Sequence, residues 1–221
     1  MPPPPLPPHE IRVLVIDDHP LFRRGVLQLL ASTPHFKTVG EADTGDDGIV
    51  QALELKPDLI LLDLNMKKGL DGIATLQHLQ GAELDTKIVI LTVSDDPQDL
   101  VTAIRAGAEG YLLKDTDPEQ MIGHLNEVMF GRTVVSDTLT HCLAIALRDD
   151  SMKTLRQPSA LTEREDSIVQ CLAQGLSNKL IARELGIMES TVKVHIRNLL
   201  KKLNFHSRLE AAVWAVTQGQ R

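Results

Sequence analysis

The feature that most constrains the fold is a regular alternation of two patterns over residues 11–130. Five short, β-branched apolar runs are separated by segments in which apolar residues recur at helical spacing. This alternation is typical of a parallel sheet with helices on both faces. It predicts an α/β fold, a five-stranded doubly wound parallel sheet. The predicted strands are 11–16, 37–42, 59–63, 87–92 and 110–114, and the predicted helices are 20–32, 45–55, 72–80, 97–106 and 118–130.

The last part of the chain, residues 161–217, is predicted to be a small all-α domain. Thr162 with Glu165 three residues later forms a capping-box signature. Gly175 and Gly186 then punctuate the helical pattern. The spacing that they leave between 178 and 203 is that of a helix–turn–helix.

Charge supports a division into two domains with different partners. Residues 1–157 contain 14 Lys and Arg against 24 Asp and Glu, whereas residues 158–221 contain 9 against 6. An acidic first part and a basic second part indicate different binding partners. The predicted domains are 10–130 and 158–221. Between them, 131–157 is predicted to hold an extra helix, with Leu139, Leu143 and Leu147 on one face, and a linker.

Polar residues collect at the carboxyl ends of the predicted strands, where ligands bind in open α/β sheets. Asp17 and Asp18 end the first strand, Asp63 the third, Thr92 the fourth and Lys114 the fifth. Three carboxylates in one place favour a hard divalent cation, and Mg²⁺ suits them. With such a cation bound, these residues suit phosphoryl transfer. Asp63 would be the nucleophile, and Lys114 would offset charge on the phosphoryl oxygens.

The predicted helix over 189–203 has two distinct faces. Val192, Ile196, Leu199 and Leu203 form a stripe that faces the core. The other face carries cations at every fourth residue and one small apolar side chain, a pattern that suits a DNA major groove. The residues on this face are Lys193, Val194, Arg197 and Lys201.

The first domain resembles the receiver domain of two-component response regulators. The motifs "VIDDHP", "LLDLNM", "ILT" and "GYLLKD" carry the resemblance, in this order, over residues 10–130. The resemblance implies a flavodoxin-like fold in which a sensor histidine kinase phosphorylates Asp63. It also implies that Asp18, Asp63 and the main-chain carbonyl of Asn65 bind Mg²⁺ with help from Asp17.

The same resemblance assigns Thr92 and Tyr111 as a switch pair that responds to the phosphoryl group, with Lys114 at the site. One departure concerns the loop after Asp63. Many receivers carry Met-Pro there, whereas here Met66 is followed by Lys67, and Gly72 falls one residue later than in those receivers. The loop is therefore expected to be one residue longer.

The second domain resembles the LuxR-type DNA-binding domain of the NarL/FixJ family. The motifs "LTERE", "GLSNKLIARELGI", "STVKVHIRNLLKKL" and "SRLEAA" carry this resemblance over about 158–217. It implies one set of residues that read bases and another that contacts phosphates. The base-reading candidates are Lys193, Val194 and Arg197, and the phosphate candidates are Ser177, Asn178, Lys179 and Lys201.

Together the two domains predict a transcription regulator that is controlled by phosphorylation and is not an enzyme. The segments "DLNMK" and "TVKVHIRNLLKKLN" are similar to those of the nitrate/nitrite response regulators of this family. The expected partners are a sensor histidine kinase, promoter DNA and a second copy of the chain when phosphorylated. With no apolar run of 18 residues and no signal-peptide pattern, a cytoplasmic protein without membrane contact is expected.

Two alternatives remain at this stage. A Mg²⁺-dependent phosphohydrolase also combines a nucleophilic Asp, a hydroxyl, a Lys and further carboxylates. Its haloacid dehalogenase-like form, however, carries an acid two residues after the nucleophile, where this chain has Asn65. The second alternative is a receiver adaptor whose C-terminal domain has lost DNA binding.

Overall fold

The computed structural model describes residues 10–135 and 161–215, except 83, 133, 204, 206–207, 209–210 and 213. The predicted helix carrying Leu139, Leu143 and Leu147, and the predicted linker, lie outside the described residues. Contacts divide the chain into two compact units, one of Met1–Val93 with Leu112–Asn126 and one of Ser94–Tyr111 with Glu127–Arg221. None of the described helices is long and apolar enough to span a membrane.

The sheet has the strand order β2-β1-β3-β4-β5-β6. The pairs β1–β2, β1–β3, β3–β4 and β5–β6 all run parallel, which confirms the predicted α/β class. The order reverses between β1 and β3, so the crevice for a ligand opens beyond the carboxyl ends of these two strands. The strands are β1 (Ile11–Ile16), β2 (Phe36–Ala42), β3 (Leu59–Asp63), β4 (Lys87–Thr92), β5 (Gly110–Leu113) and β6 (Val134–Val135).

Five helices alternate with the first five strands, as predicted. Every residue of β3 is buried, and β1 and β4 each carry one residue that is not. Such burial requires helices on both faces of the sheet and explains the near-continuous apolar runs. The helices are α1 (Pro20–Ala31), α2 (Gly45–Leu55), α3 (Gly72–Gly81), α4 (Pro97–Arg105) and α5 (Pro118–Met129).

The sixth strand is a difference from the predicted five-stranded sheet. Val134 and Val135 pair in parallel with Gly110 and Tyr111, although this segment was predicted to lead into the extra helix. Two adjacent β-branched residues suit an extended backbone, and their pairing covers the edge that β5 would otherwise expose. The sheet therefore continues past residue 130.

The C-terminal part contains α6 (Glu163–Ala173), α7 (Asn178–Leu185) and α8 (Glu189–Leu203), followed by further helical residues that include Ala211 and Ala215. Between α7 and α8 lies Gly186, whose φ of 64° is the left-handed conformation that glycine adopts without strain. The three helices share one apolar core. It includes Ile168, Leu172, Ile181, Val192, Ile196 and Leu199.

The predicted capping box at the start of α6 is present. The Thr162 side chain accepts from the Glu165 amide, and the Glu165 carboxylate accepts from the Thr162 amide. Glu165 also accepts from Lys202 Nζ at 2.6 Å. The bond from Lys202 and that from the Thr162 amide lower the pKa of Glu165 to about 2. This network ties the start of α6 to the last turn of α8.

Candidate functional site

Three carboxylates meet at the carboxyl ends of β1 and β3, as the sequence predicts. Asp17 and Asp63 are 2% and 1% exposed, and the Asp18 side chain is 8% exposed. Ligand atoms of Asp17, Asp18, Asp63 and His19 all lie within 4.8 Å of one another. A set of carboxylate oxygens this close together fits a hard divalent cation such as Mg²⁺.

Lys114 joins two of these carboxylates from one side. Its Nζ lies 2.8 Å from Asp17 Oδ2 and 2.8 Å from Asp63 Oδ2. The ammonium also lies 4.8 Å from the centroid of the Phe22 ring, a cation–π distance. One buried cation therefore offsets part of the repulsion between Asp17 and Asp63.

We expect Lys114→Met to destabilise the protein strongly in Mg²⁺-free buffer. The substitution leaves Asp17 and Asp63 buried without their cation, and breaking such a pair costs about 3 kcal/mol. Denaturant unfolding measures the change. Lys37→Met is the matched control, because Lys37 pairs with Glu10 at the surface and exposed pairs contribute less than about 1 kcal/mol. Equal losses in the two variants would contradict this role for Lys114.

The structure also brings His19 to the acidic cluster. Its Nδ1 lies 2.9 Å from Asp18 Oδ1 and 3.5 Å from Asp63 Oδ2. Its main-chain N–H donates to Asp17 Oδ1 at 2.8 Å. His19 is the N-cap residue of α1, and its place directly after the two aspartates was the only sequence signal for this position.

Asn65 connects the Asp63 carboxylate to the end of β4. Its main-chain N–H donates to Asp63 Oδ1 at 3.1 Å, and its side-chain amide donates to Thr92 Oγ1 at 3.0 Å. Thr92 is fully buried, and its carbonyl accepts from the Lys114 amide at 2.7 Å. The predicted site residues Asp63, Asn65, Thr92 and Lys114 thus form one connected set.

Tyr111, the second residue of the predicted switch pair, is fully buried. Its hydroxyl donates to the Ser94 carbonyl at 3.1 Å. The Ser94 hydroxyl donates in turn to Asp99 Oδ2 at 2.5 Å. Tyr111 therefore fixes the loop that follows β4, through Ser94.

The second candidate surface lies on α8. Val192, Ile196 and Leu199 are buried on one side of the helix, as predicted. The predicted base-reading residues all lie on its exposed side, and Val194 keeps 43% of its surface accessible. The exposed residues of this cationic face are Lys193, Val194, Arg197, Asn198 and Lys201.

The predicted phosphate contacts at the start of α7 differ in their exposure. Lys179 is exposed. Ser177 is buried and caps α7, because its hydroxyl accepts from the Leu180 amide at 3.3 Å. Asn178 is partly buried, and its side-chain oxygen accepts from Arg208. Two of these side chains thus have structural partners within the domain.

Arg208 is a residue that the sequence prediction missed. It is buried, and its guanidinium donates to Asn178 Oδ1 and to the Leu176 carbonyl. Burial lowers the pKa of Arg208 to about 10, still well above neutrality. A charged arginine here holds the turn that leads into α7. The motif "SRLEAA" contains it, but its partners lie about 30 residues away in the chain.

The fold and these two sites define a receiver joined to a helix–turn–helix domain. Family models agree: the response regulator receiver domain matches residues 13–126, and the model of bacterial regulatory proteins of the luxR family matches 159–215. The chain belongs to the two-component response regulators that carry a LuxR-type DNA-binding domain.

Within this family the chain is similar to nitrate/nitrite regulators. It is 50% identical to the nitrate/nitrite response regulator protein NarL of Escherichia coli (strain K12) over 202 residues, 91% of this chain and 93% of NarL. It is 47% identical to NarP of the same strain over 209 residues, covering 94% of this chain and 95% of NarP. The predicted resemblance to this group is confirmed.

A solved structure shares the fold over nearly the whole chain. The response regulator ChrA of a heme-sensing two-component system is 33% identical and has a TM-score of 0.52. The match covers 96% of this chain and 98% of ChrA.

Proposed function

We propose that phosphorylation of Asp63 by a sensor histidine kinase controls sequence-specific DNA binding by this chain. The observation that carries the proposal is the buried Asp63 carboxylate, which lies 2.8 Å from Lys114 Nζ and beside two further carboxylates. The same chain carries a helix with an exposed cationic face. The chain therefore combines a phosphoacceptor with a surface suited to DNA.

The phosphoryl chemistry follows from the surroundings of Asp63. A carboxylate oxygen of Asp63 attacks the phosphorus of the kinase phosphohistidine, the P–N bond breaks, and an acyl phosphate forms. Lys114 Nζ lies beside the Asp63 carboxylate, and it offsets charge on the oxygens of the transferred phosphoryl group. The predicted switch residues Thr92 and Tyr111 then respond to the phosphoryl group, Thr92 by donating a hydrogen bond.

The cofactor proposed for this site is Mg²⁺. The cluster of carboxylate oxygens supplies the ligands that this ion prefers. Asp18 and Asp63 would hold the ion directly, with the main-chain carbonyl of Asn65, and Asp17 would assist. When bound, Mg²⁺ neutralises charge that develops during phosphoryl transfer.

DNA binding is assigned to α8 and the start of α7. Lys193, Val194 and Arg197 are exposed on one helix face and suit base edges in the major groove. Lys179 and Lys201 are exposed cations that suit phosphates and position the helix. Ser177 and Asn178, also proposed as phosphate contacts, could act there through their main-chain N–H groups at the start of α7.

The proposed active form is a homodimer on paired promoter half-sites, and the proposed location is the cytoplasm, with the DNA.

The similarity to NarL and NarP supports nitrate or nitrite as the signal. Genome-wide mapping of DNA occupancy, with and without nitrate, tests this function. We expect additional promoters to be occupied with nitrate in cells that carry the wild-type chain, and none in cells that carry Asp63→Asn. Identical occupancy in both conditions would contradict the proposal.

A further inference from the structure

The loop after Asp63 contacts the acidic cluster through its main chain. The Lys67 N–H donates to Asp18 Oδ2 at 2.8 Å and joins residues that are 49 positions apart. The Lys67 side chain is exposed. The contact with Asp18 therefore belongs to the peptide group of Lys67, whatever its side chain is.

The three carboxylates of the cluster are held from different sides. Lys114 pairs with Asp17 and Asp63. Asp18 Oδ2 accepts from the Lys67 amide, and His19 Nδ1 lies 2.9 Å from the other oxygen, Oδ1. The Lys67 amide is thus part of what fixes the direction of the Asp18 carboxylate.

The loop that presents this amide is itself anchored at both ends. Met66 is buried directly before Lys67. Three residues after Lys67, the Leu70 N–H donates to Asp46 Oδ2 at 3.0 Å. Gly69 between them has a φ of 69°, and a Cβ at this position would lie 2.3 Å from the same Asp46 oxygen. The amide is therefore already in place before any ligand arrives.

We propose that the main-chain amide of Lys67 positions the Asp18 carboxylate for the divalent cation. The inference rests on the proposed function, in which Asp18 is a Mg²⁺ ligand. A carboxylate oxygen has two lone pairs, so Oδ2 accepts from Lys67 and keeps a lone pair for the ion. Hydrogen bonds to metal-binding carboxylates orient them, and losing such a partner weakens metal binding by about 10- to 100-fold.

The bond requires a residue other than proline at position 67. Proline has no N–H to donate, so a receiver with Met-Pro at this point lacks the bond. Lys67 in place of proline therefore adds a ligand-positioning donor to this site. Lys67 is a positioning residue, because it acts through Asp18.

The test compares two substitutions in the full-length, unphosphorylated protein. Lys67→Pro removes the amide donor, whereas Lys67→Ala removes the ammonium and keeps the amide. Calorimetric titration with MgCl₂ gives the dissociation constant of each variant. We expect Lys67→Pro to weaken Mg²⁺ binding roughly tenfold and Lys67→Ala to stay within about twofold of the wild type.

A further variant addresses the case in which Lys67→Pro does not fold. Asp46→Ala removes the anchor at Leu70 without touching the Lys67 amide. It should weaken Mg²⁺ binding roughly threefold, about the size of one net hydrogen bond. Unchanged Mg²⁺ binding in Asp46→Ala would then overturn the inference.

The outcomes separate the inference from the proposed function. Equal dissociation constants for Lys67→Pro and Lys67→Ala would overturn the role of the amide, whether both are weak or both match the wild type, and leave the proposed Mg²⁺ site intact. A wild-type protein that binds no Mg²⁺ would overturn that site and this inference together. A loss confined to Lys67→Pro supports both.

Discussion

We expect Asp63→Asn to abolish covalent phosphorylation of the chain by acetyl phosphate and by a histidine kinase. The carboxamide has nearly the shape of the carboxylate, but it is not a nucleophile that can form an acyl phosphate. Asp63 is 1% exposed, ends β3 and lies between Lys114 and the Asn65 amide. Intact-protein mass spectrometry after incubation with donor and Mg²⁺ measures the incorporation of phosphate.

A matched variant separates this effect from a general loss of acidic residues. Asp71 is exposed and caps α3 by accepting from the Ala74 amide at 2.8 Å. Asn caps helices about as well as Asp, so Asp71→Asn should fold and be phosphorylated as the wild type is. Phosphate incorporated stoichiometrically into Asp63→Asn would show that the phosphoacceptor lies elsewhere.

The second large effect is expected from the double variant Lys193→Ala/Arg197→Ala. Both side chains are exposed on the face of α8 opposite the buried Val192 and Ile196, so their removal leaves the domain core intact. Each contact between such a side chain and a base edge contributes about 1–3 kcal/mol. The phosphorylated variant should therefore bind its promoter site roughly 1,000-fold more weakly, at about 4 kcal/mol for the pair.

Two comparisons decide whether this loss reflects base reading. Arg24→Ala/Lys37→Ala removes the same charge from exposed positions on the first domain and should leave DNA affinity close to that of the wild type. Lys201→Ala should weaken specific and non-specific DNA alike and reduce the salt dependence, because it loses a phosphate contact. Fluorescence anisotropy at several salt concentrations gives these affinities. Full promoter affinity in Lys193→Ala/Arg197→Ala would favour the adaptor alternative.

The sheet could be predicted from the sequence because its strands are buried on both faces. The runs that become β1, β3 and β4 are almost continuously apolar, and their predicted limits match the observed ones. The short β6 could not be predicted, because two residues carry no periodicity of their own. Its pairing with Gly110 and Tyr111 depends on tertiary structure.

The candidate site likewise contains some contacts that the sequence predicts and others that it does not. Asp17, Asp18, Asp63 and Lys114 lie at or just after the ends of strands, so the strand ends determine where their side chains meet. The contacts of His19 with Asp18 and of Lys67 with Asp18 depend on the paths of two loops, which local sequence does not determine. Contacts that depend on loop paths in this way are set by the tertiary structure and not by the local sequence.

Ser177 and Asn178 are predicted phosphate contacts whose side chains have partners inside the domain. Both lie at the start of α7, where the resemblance places phosphate contacts. In the structure the Ser177 hydroxyl caps the helix and the Asn178 oxygen accepts from Arg208. Their main-chain N–H groups are therefore the better candidates for phosphate contact, and Arg208 is a structural requirement of the same turn.

The most direct test of the central claim is the change in promoter affinity that a phosphodonor produces in two otherwise matched proteins. The affinity of the wild-type chain and of Asp63→Asn is measured with Mg²⁺, with and without acetyl phosphate. We predict that the donor tightens DNA binding by the wild type and leaves that of Asp63→Asn unchanged. An equal gain in both proteins would contradict control of DNA binding through Asp63.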